Sequence, residues 1–513
     1  MTSTTTILST QPRRDNRSIK IALTTRRRSS SQLKMSGTSS TSSKWIVSSL
    51  YTDESDDTAT ATATEETTPR TPTHLFLHFD INETILLGDD AGGDSRHEST
   101  QKMLAKSSFC RMPDMVINDN DDDNDNDNDD NDNDEHEHHQ RRRWENTQQL
   151  KPTHWWDGQE IGKERSIPPL YTGWKWPDGC CPYYRTAYKN QAKSFVDNHP
   201  IYLPILEACE TAISVNKGKG ELSSSTLSPS SSSQKSSKQD RKDTILPAFY
   251  ETLRHLIDTT SSPSYIENVD GTNKKPPFTV IFRTFGSDLA EIASVVTTFA
   301  KGKHPEYPSI KFSPLCLSQD RLFQGRWKVI HDDKSNTKKP IYQLWKYHDE
   351  SQLVASGDAE ILDLFKEGSV FGIRDDYNYW KSNQWNPTAG KPIWVRNYDE
   401  SKSNNNKHDE NNNVEKETEK DHNITSIDHH ILFDDNIHNL HNDGIACVRK
   451  ELPQDDDDEN SGAVSFDTVD GANIDSYHGV NLIRVPTVEP VLDPHWYIQQ
   501  IEMARNRFQC RLR

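Results

Sequence analysis

The residues best placed to do chemistry are few and lie far apart along the chain. The segment LFLHFDINETILL (75–87) is an apolar run that ends abruptly at Asp80 and is followed by Asn82 and Thr84. In HHILFDDNIHNLHNDGIACVR (429–449) a short apolar stretch, Ile431 to Phe433, runs straight into Asp434 and Asp435. FTVIFRTFGSDLAEIASVV (278–296) closes its β-rich run on Thr284. A buried strand that delivers a carboxylate or hydroxyl to its carboxyl end is building a site there, because open α/β sheets bind ligands at that edge. Two or three carboxylates meeting at such an edge cannot all stay ionised unless a cation neutralises them. Oxygen ligands of this kind select a hard ion, usually Mg²⁺.

The elements that must hold these groups read as strands alternating with helices. After Thr284, Gly286 predicts a turn and Ser287 the N-cap of a helix with Asp288 and Glu291 in its first turn. RWKVI (326–330) and PIYQLWKY (340–347) predict a hairpin across a polar loop. ILDLFKEG (361–368) predicts a short helix that stops at Gly368, and VFGIRDDYNYW (370–380) a further strand. A second short strand is expected near Ile445–Val448. VNLIRV (480–485) and DPHWYIQQIEMARNRF (493–508) predict a last strand and a capped closing helix. This alternation gives an α/β fold with a doubly wound, mostly parallel sheet.

The motifs resemble those of the haloacid dehalogenase-like (HAD) superfamily of mainly phosphoryl-transfer enzymes. That family's pattern is a strand ending in DxDxT, a strand ending in Ser or Thr, a Lys, and a strand ending in an acidic pair. The matching positions are Asp80-Ile81-Asn82-Glu83-Thr84, then Thr284, then Lys391 in AGKPIWV, then Asp434-Asp435; Lys381 in YWKSNQW is also available for the third. The resemblance implies a three-layer HAD-like core with an inserted cap, Mg²⁺ as cofactor and a phosphorylated small molecule as substrate. It implies that Asp80 attacks and carries the phosphoryl group, that Thr284, with Thr84, binds phosphoryl oxygens, and that Lys391 compensates their charge. Asp80, the backbone carbonyl of Asn82, and Asp434 or Asp435 would hold the metal.

This chain departs from the family at Asn82. The family's phosphatases use an Asp there as general acid for the leaving alcohol and then as base for the hydrolytic water. An amide can do neither, and such help is worth roughly 10²–10⁴ in rate. Three readings follow: a phosphatase for substrates with good leaving groups, a slow or transferase-like relative, or a fold that keeps metal and phosphate binding without turnover. In the last case the chain is a scaffold or interaction protein. Glu83 follows directly, although neighbouring side chains normally point to opposite sides. A receiver-type signalling domain also combines these residue types, but its acidic pair belongs near the start of the domain.

Composition frames the site. Hydrophobic content of 32% and a mean hydropathy of −0.91 are low for a 513-residue chain folded throughout. Stretches 1–70, 114–142, 214–243, 401–424 and 451–475 are expected to be disordered or low-complexity. The core would comprise 71–113, 244–400 and 425–513, with 143–213 as a cap-like insert. That insert is rich in aromatics: Trp144, Trp155, Trp156, Trp174 and Trp176, with Tyr171, Tyr183, Tyr184 and Tyr188.

The net charge of −19 is concentrated in 119–135, which holds ten Asp and one Glu, and in Asp455–Glu459. Without those runs the chain is close to neutral, so no nucleic-acid surface is indicated. The Asp/Asn tract lacks the Gly and Glu of a calcium loop, and His136, His138 and His139 beside it lack fixed ligand geometry. His438 and His441, beside the last motif, lack an acidic partner at ligand spacing. Seven cysteines form no CxxC pair and read as reduced thiols of an intracellular protein, cytoplasmic or organellar. No apolar run approaches the ~18 residues that span a bilayer. The first 50 residues hold nine Lys or Arg and one acid, a composition that suits either a transit peptide or a plain tail.

Overall fold

A computed structural model of the chain describes residues 73–87, 94–111, 173–177, 179–186, 189–215, 245–260, 276–332, 337–396, 427–439, 444–453, 464–486 and 488–512. All belong to the second of two units, Thr68–Arg513. Tails and tracts at 1–70, 114–142 and 401–424, together with Trp144, Trp155, Trp156, Tyr171, Tyr188 and His441, lie outside the described residues.

The strands, in chain order, are β1 (Thr73–Asp80), β2 (Phe109–Arg111), β3 (Cys180–Pro182), β4 (Phe278–Thr284), β5 (Leu322–Asp332), β6 (Thr337–Lys346), β7 (Asp349–Ser356), β8 (Val370–Arg374), β9 (Lys391–Val395), β10 (Ile427–Asp434), β11 (Ala446–Glu451), β12 (Phe466–Thr468) and β13 (Leu482–Arg484). The principal helices are α1 (Arg96–Lys106), α2 (Leu203–Val215), α3 (Pro247–Thr260), α4 (Leu289–Ala300), α5 (Asp358–Lys366), α6 (Tyr377–Ser382) and α7 (Trp496–Arg511). An eight-stranded sheet runs β13-β10-β1-β4-β8-β5-β6-β7, parallel from β13 to β5 and antiparallel through β6 and β7. The α/β class and the mostly parallel sheet expected from the sequence are both present.

β1 and β4 sit centrally and are buried on both parities, as parallel strands covered on two faces must be. Leu75, Leu77 and Phe79 pack with Val280, Phe282, Ile431 and Phe433 against residues of α3, α4 and α7. Gly372 on β8 lets α4 close on the sheet, since a Cβ there would lie 2.8 Å from Leu322 and 3.1 Å from Leu289. On the other face Phe76, Ile281, Phe371 and Ile373 meet α5 and, through Trp394, Cys447 and Phe466, the small sheet β12-β11-β9. Double winding predicted helices on that face; besides α5 it carries this small sheet, in which β9 pairs in parallel with β11 outside the main sheet, and Trp394 Nε1 donates to Asp358 Oδ1 of α5.

A second cluster is helical. Met103 and Leu104 of α1 pack with Phe195, Tyr202, Leu206 and Cys209, and Leu246, Val488 and Val491 join them. α1 starts from a capping box between Ser95 and Glu98. Tyr183 packs edge-on against Phe195 in the same cluster. Among the described residues no helix is long and apolar enough to cross a membrane.

Local expectations are corrected at several points. The cap residue of α4 is Asp288, one place beyond Ser287, and its side chain makes no cap hydrogen bond. The strand expected over 370–380 stops at Arg374, because Asp376 accepts from the Tyr379 N–H and starts α6. The hairpin acquires a third strand, β7. α7 begins at Trp496 without a side-chain cap; the Asp493 carboxylate accepts from the His495 N–H just outside it. The stretch read as low-complexity over 451–475 contains β12, whose Phe466 is buried.

Candidate active site

Register brings the first and last motifs together. Phe79 of β1 is level with Phe433 of β10, so the next residues, Asp80 and Asp434, leave the sheet side by side. Carboxylate oxygens of Asp80, Asp434 and Asp435 all lie within 4.8 Å of one another. β4 is the other neighbour of β1, with Arg283 level with Asp80, and its last residue is Thr284.

Lys391 opens β9 and is buried with its ammonium between the two strand-end acids, Nζ donating to Asp80 Oδ1 at 2.5 Å and Asp434 Oδ2 at 2.7 Å. Lys381 lies exposed on α6. Thr84 Oγ1 donates to Asp80 Oδ2 at 3.4 Å, a long contact. Thr284 Oγ1 accepts the Gly286 N–H at 2.8 Å. Asn82 Nδ2 donates to Asp288 Oδ2 at 3.0 Å. Asn436, which was not anticipated, holds both late acids: its N–H donates to Asp434 Oδ1 and its Nδ2 to Asp435 Oδ1.

The chain turns immediately after Asp80, with the Ile85 and Leu86 N–H groups donating to Ile81 O. Within that turn Glu83 takes φ 58, a left-handed conformation uncommon outside glycine. Its side chain points neither to Asp80 nor into solvent but to α1, where it pairs with Lys106 and, at 3.4 Å, Lys102. Lys106 Nζ also donates to Asp435 Oδ2 at 2.8 Å. Lys102 and Lys193 both pair with Asp94. Five carboxylates are thus met by four ammonium groups around one rim.

The electrostatics follow from burial and proximity. Burial pushes the Asp80 carboxyl well above the ordinary carboxylate range, and Asp434 and Asp435 add to this against the pull of Lys391. Asp435 is pushed up to about 6 by burial, with Glu83 and Asp434 adding and Lys106 opposing. Burial disfavours the charged Lys391 and Lys106, yet their carboxylate partners outweigh it and raise both. Glu83 is lowered, the two lysines outweighing its burial.

Below the rim lies a buried polar column. Arg283 makes a bidentate pair with Asp375 (Nε to Oδ2 2.9 Å, NH2 to Oδ1 2.5 Å) and donates through NH1 to the Pro392 carbonyl, next to Lys391. Tyr342 donates to Asp375 Oδ1, and the Asp375 N–H donates to the Thr284 carbonyl. His78 bridges Arg283 NH1 at 3.2 Å and His430 Nδ1 at 3.1 Å. His430 stacks on Phe76, His429 stacks on Phe508, and His438 lies against Trp176. These histidines are packing residues rather than part of the carboxylate cluster.

Comparison of the chain with family models, with curated proteins and with solved structures finds no match.

Proposed function

We propose that this chain is a HAD-like, Mg²⁺-dependent hydrolase of phosphate compounds that works through an aspartyl-phosphate on Asp80. The observation that carries the reading is the convergence of Asp80, Asp434 and Asp435, with Lys391 bridging the two strand ends. Three carboxylates at this spacing suit a hard divalent cation, and the raised Asp80 and Asp435 fit acids built close together for such a charge. Asp80, Asp434 and Asp435, with the carbonyl of Asn82, would hold it. Bound there, Mg²⁺ would offset negative charge on the transferring group.

On this reading an Asp80 oxygen attacks phosphorus, and Lys391 stabilises the charge that builds on the phosphoryl oxygens. Thr284, at the end of the adjacent strand, orients those oxygens. The HAD-type three-layer core belongs to the same proposal, as does the cap-like insert 143–213, whose described part holds most of α2 and the short helices before it. α1 packs in the helical cluster with the insert, and its Lys106 reaches Asp435, linking that cluster to the rim.

Asn82, with its amide where an acid would stand, favours a second reading: a scaffold that keeps the fold and binds metal or phosphate without turnover. Incubation of the chain with Mg²⁺ and aryl, acyl and alkyl phosphates, beside Asp80→Asn, separates the two. The hydrolase releases phosphate from at least the aryl or acyl compounds, and Asp80→Asn does not. Silence across the panel rejects the hydrolase and leaves the scaffold.

A further inference from the structure

The amide at Asn82 leaves the hydrolase reading without an acid or base, and the structure puts a carboxylate against that amide. Asp288 Oδ2 accepts from Asn82 Nδ2 at 3.0 Å. The contact joins the turn after β1 to the turn after β4, 206 residues apart in the chain. Asp288 occupies the cap position of α4, yet its side chain makes no hydrogen bond to the helix, so local capping does not account for where it points. Gly286 keeps the space open: a Cβ there would lie 2.4 Å from Asp288 Oδ2, 3.3 Å from Thr284 Oγ1 and 3.4 Å from Asn82 Nδ2. Three polar groups therefore crowd the spot that a side chain at Gly286 would take. One of them is the hydroxyl assigned above to the phosphoryl oxygens. Asp288 is half-buried, within reach of a substrate entering from solvent.

We propose that Asp288 is the catalytic general acid and base of this site, with Asn82 as its positioning residue; the inference rests on the phosphoryl-transfer reading. In the first step an Asp80 oxygen forms a bond to phosphorus and the bond from phosphorus to the leaving oxygen breaks. The leaving oxygen departs with the electron pair and takes a proton from the Asp288 carboxylic acid. In the second step water attacks phosphorus and gives its proton to the Asp288 carboxylate. The Asp80–phosphorus bond breaks, inorganic phosphate leaves, and both carboxyl groups return to their starting states. A carboxylate with one oxygen held by an amide still has a second with which to exchange that proton. The function that the family places two residues after the nucleophile is here supplied from the turn after the neighbouring strand.

The test compares the wild-type chain, Asp288→Asn, Asp80→Asn and the double variant Asn82→Asp/Asp288→Asn on p-nitrophenyl phosphate and glycerol phosphate with Mg²⁺. Asp288→Asn is expected to lower turnover of the alkyl ester by about 10²–10⁴-fold. With the aryl ester, whose leaving group needs no acid, it gives a burst of nitrophenolate followed by slow turnover. Intact-protein mass then shows a phosphoryl group accumulating on Asp288→Asn and none on Asp80→Asn. Recovery of alkyl turnover in the double variant establishes that the Asp288→Asn background still folds. If wild type and Asp288→Asn hydrolyse both esters alike, with no burst, Asp288 is not the acid or base while phosphoryl transfer at Asp80 stands. If the wild-type chain neither hydrolyses an ester nor gains a phosphoryl group, both readings fall together.

Discussion

On β1 alternate residues serve two environments. Leu75, Leu77 and Phe79 enter a mainly apolar face, where Phe79 stacks on Phe433 and meets Phe249 and Tyr497 edge-on. Phe76, His78 and Asp80 enter the other face, where His78 joins His430 and Arg283, Arg283 joins Asp375, and Lys391 joins Asp80 to Asp434. Both faces are equally buried, but they are held differently. Hydrocarbon contacts are many, weak and individually dispensable, so the first face tolerates the loss of a methyl group. Buried ionic groups depend on each partner being present, and the second face is as firm as its least satisfied member. The catalytic geometry proposed here stands on the less forgiving side. Arg283 ties the column to the strand carrying Lys391 through the Pro392 carbonyl, so disturbance below is expected to reach the rim.

Four measurements test that contrast, from the largest expected effect to the smallest. Asp375→Ala strands the Arg283 guanidinium and the Tyr342 hydroxyl, and should destabilise the fold by about 3–5 kcal/mol in urea denaturation, as removal of one partner from a buried pair does. A loss under about 1 kcal/mol would mean that the column is less dependent on its pairs than its burial implies.

Acid titration of stability probes the histidines. Burial foremost pushes His78 and His430 well below the usual histidine value, and His429 down to about 3. Groups with depressed folded values stay neutral in the fold while the unfolded chain takes up protons. Their contribution is therefore present above about pH 6.5 and lost as pH falls. Each histidine should remove about 1.4 kcal/mol per pH unit below that point. The slope is clearest before Asp435, at about 6, begins binding a proton in the fold and offsets part of it. His429→Gln should remove about one proton from the measured dependence; an unchanged slope would show that His429 does not contribute.

Asp80→Asn is expected to have the opposite sign. An acid whose folded value is raised weighs on the fold once ionised, so the amide should raise Tm slightly at neutral pH while abolishing phosphoryl capture. A lower Tm would show that the Lys391 contact more than repays the burial of the charge. Ile431→Val, on the hydrocarbon face, should cost about 0.5–1.5 kcal/mol. It should leave Mn²⁺ affinity, followed by electron paramagnetic resonance, where it was; a shift in affinity would break the independence of the two faces.

Much of the site was legible because its signals are local. Apolar runs that stop on Asp80, Thr284 and Asp434 announce strand ends, and the sheet places those ends at one rim. Lys391 and Lys381 could not be told apart by spacing, since only the packing of β9 buries one and leaves the other exposed. Lys106 had no sequence signal at all, because α1 carries no feature that ties it to a motif 329 residues away. Arg283 and Asp375 sit within segments read as ordinary strand, and only parallel pairing of β4 with β8 makes them neighbours.

The sequence by itself determined the α/β alternation, the strand-terminal acids and the amide at Asn82, because a period of two and an abrupt polar stop need only neighbours along the chain. Which groups oppose those acids, and which carboxylate meets Asn82, was decided by tertiary structure alone. Contacts between residues 206, 311 and 329 places apart are set by strand order and helix packing, which no local pattern encodes.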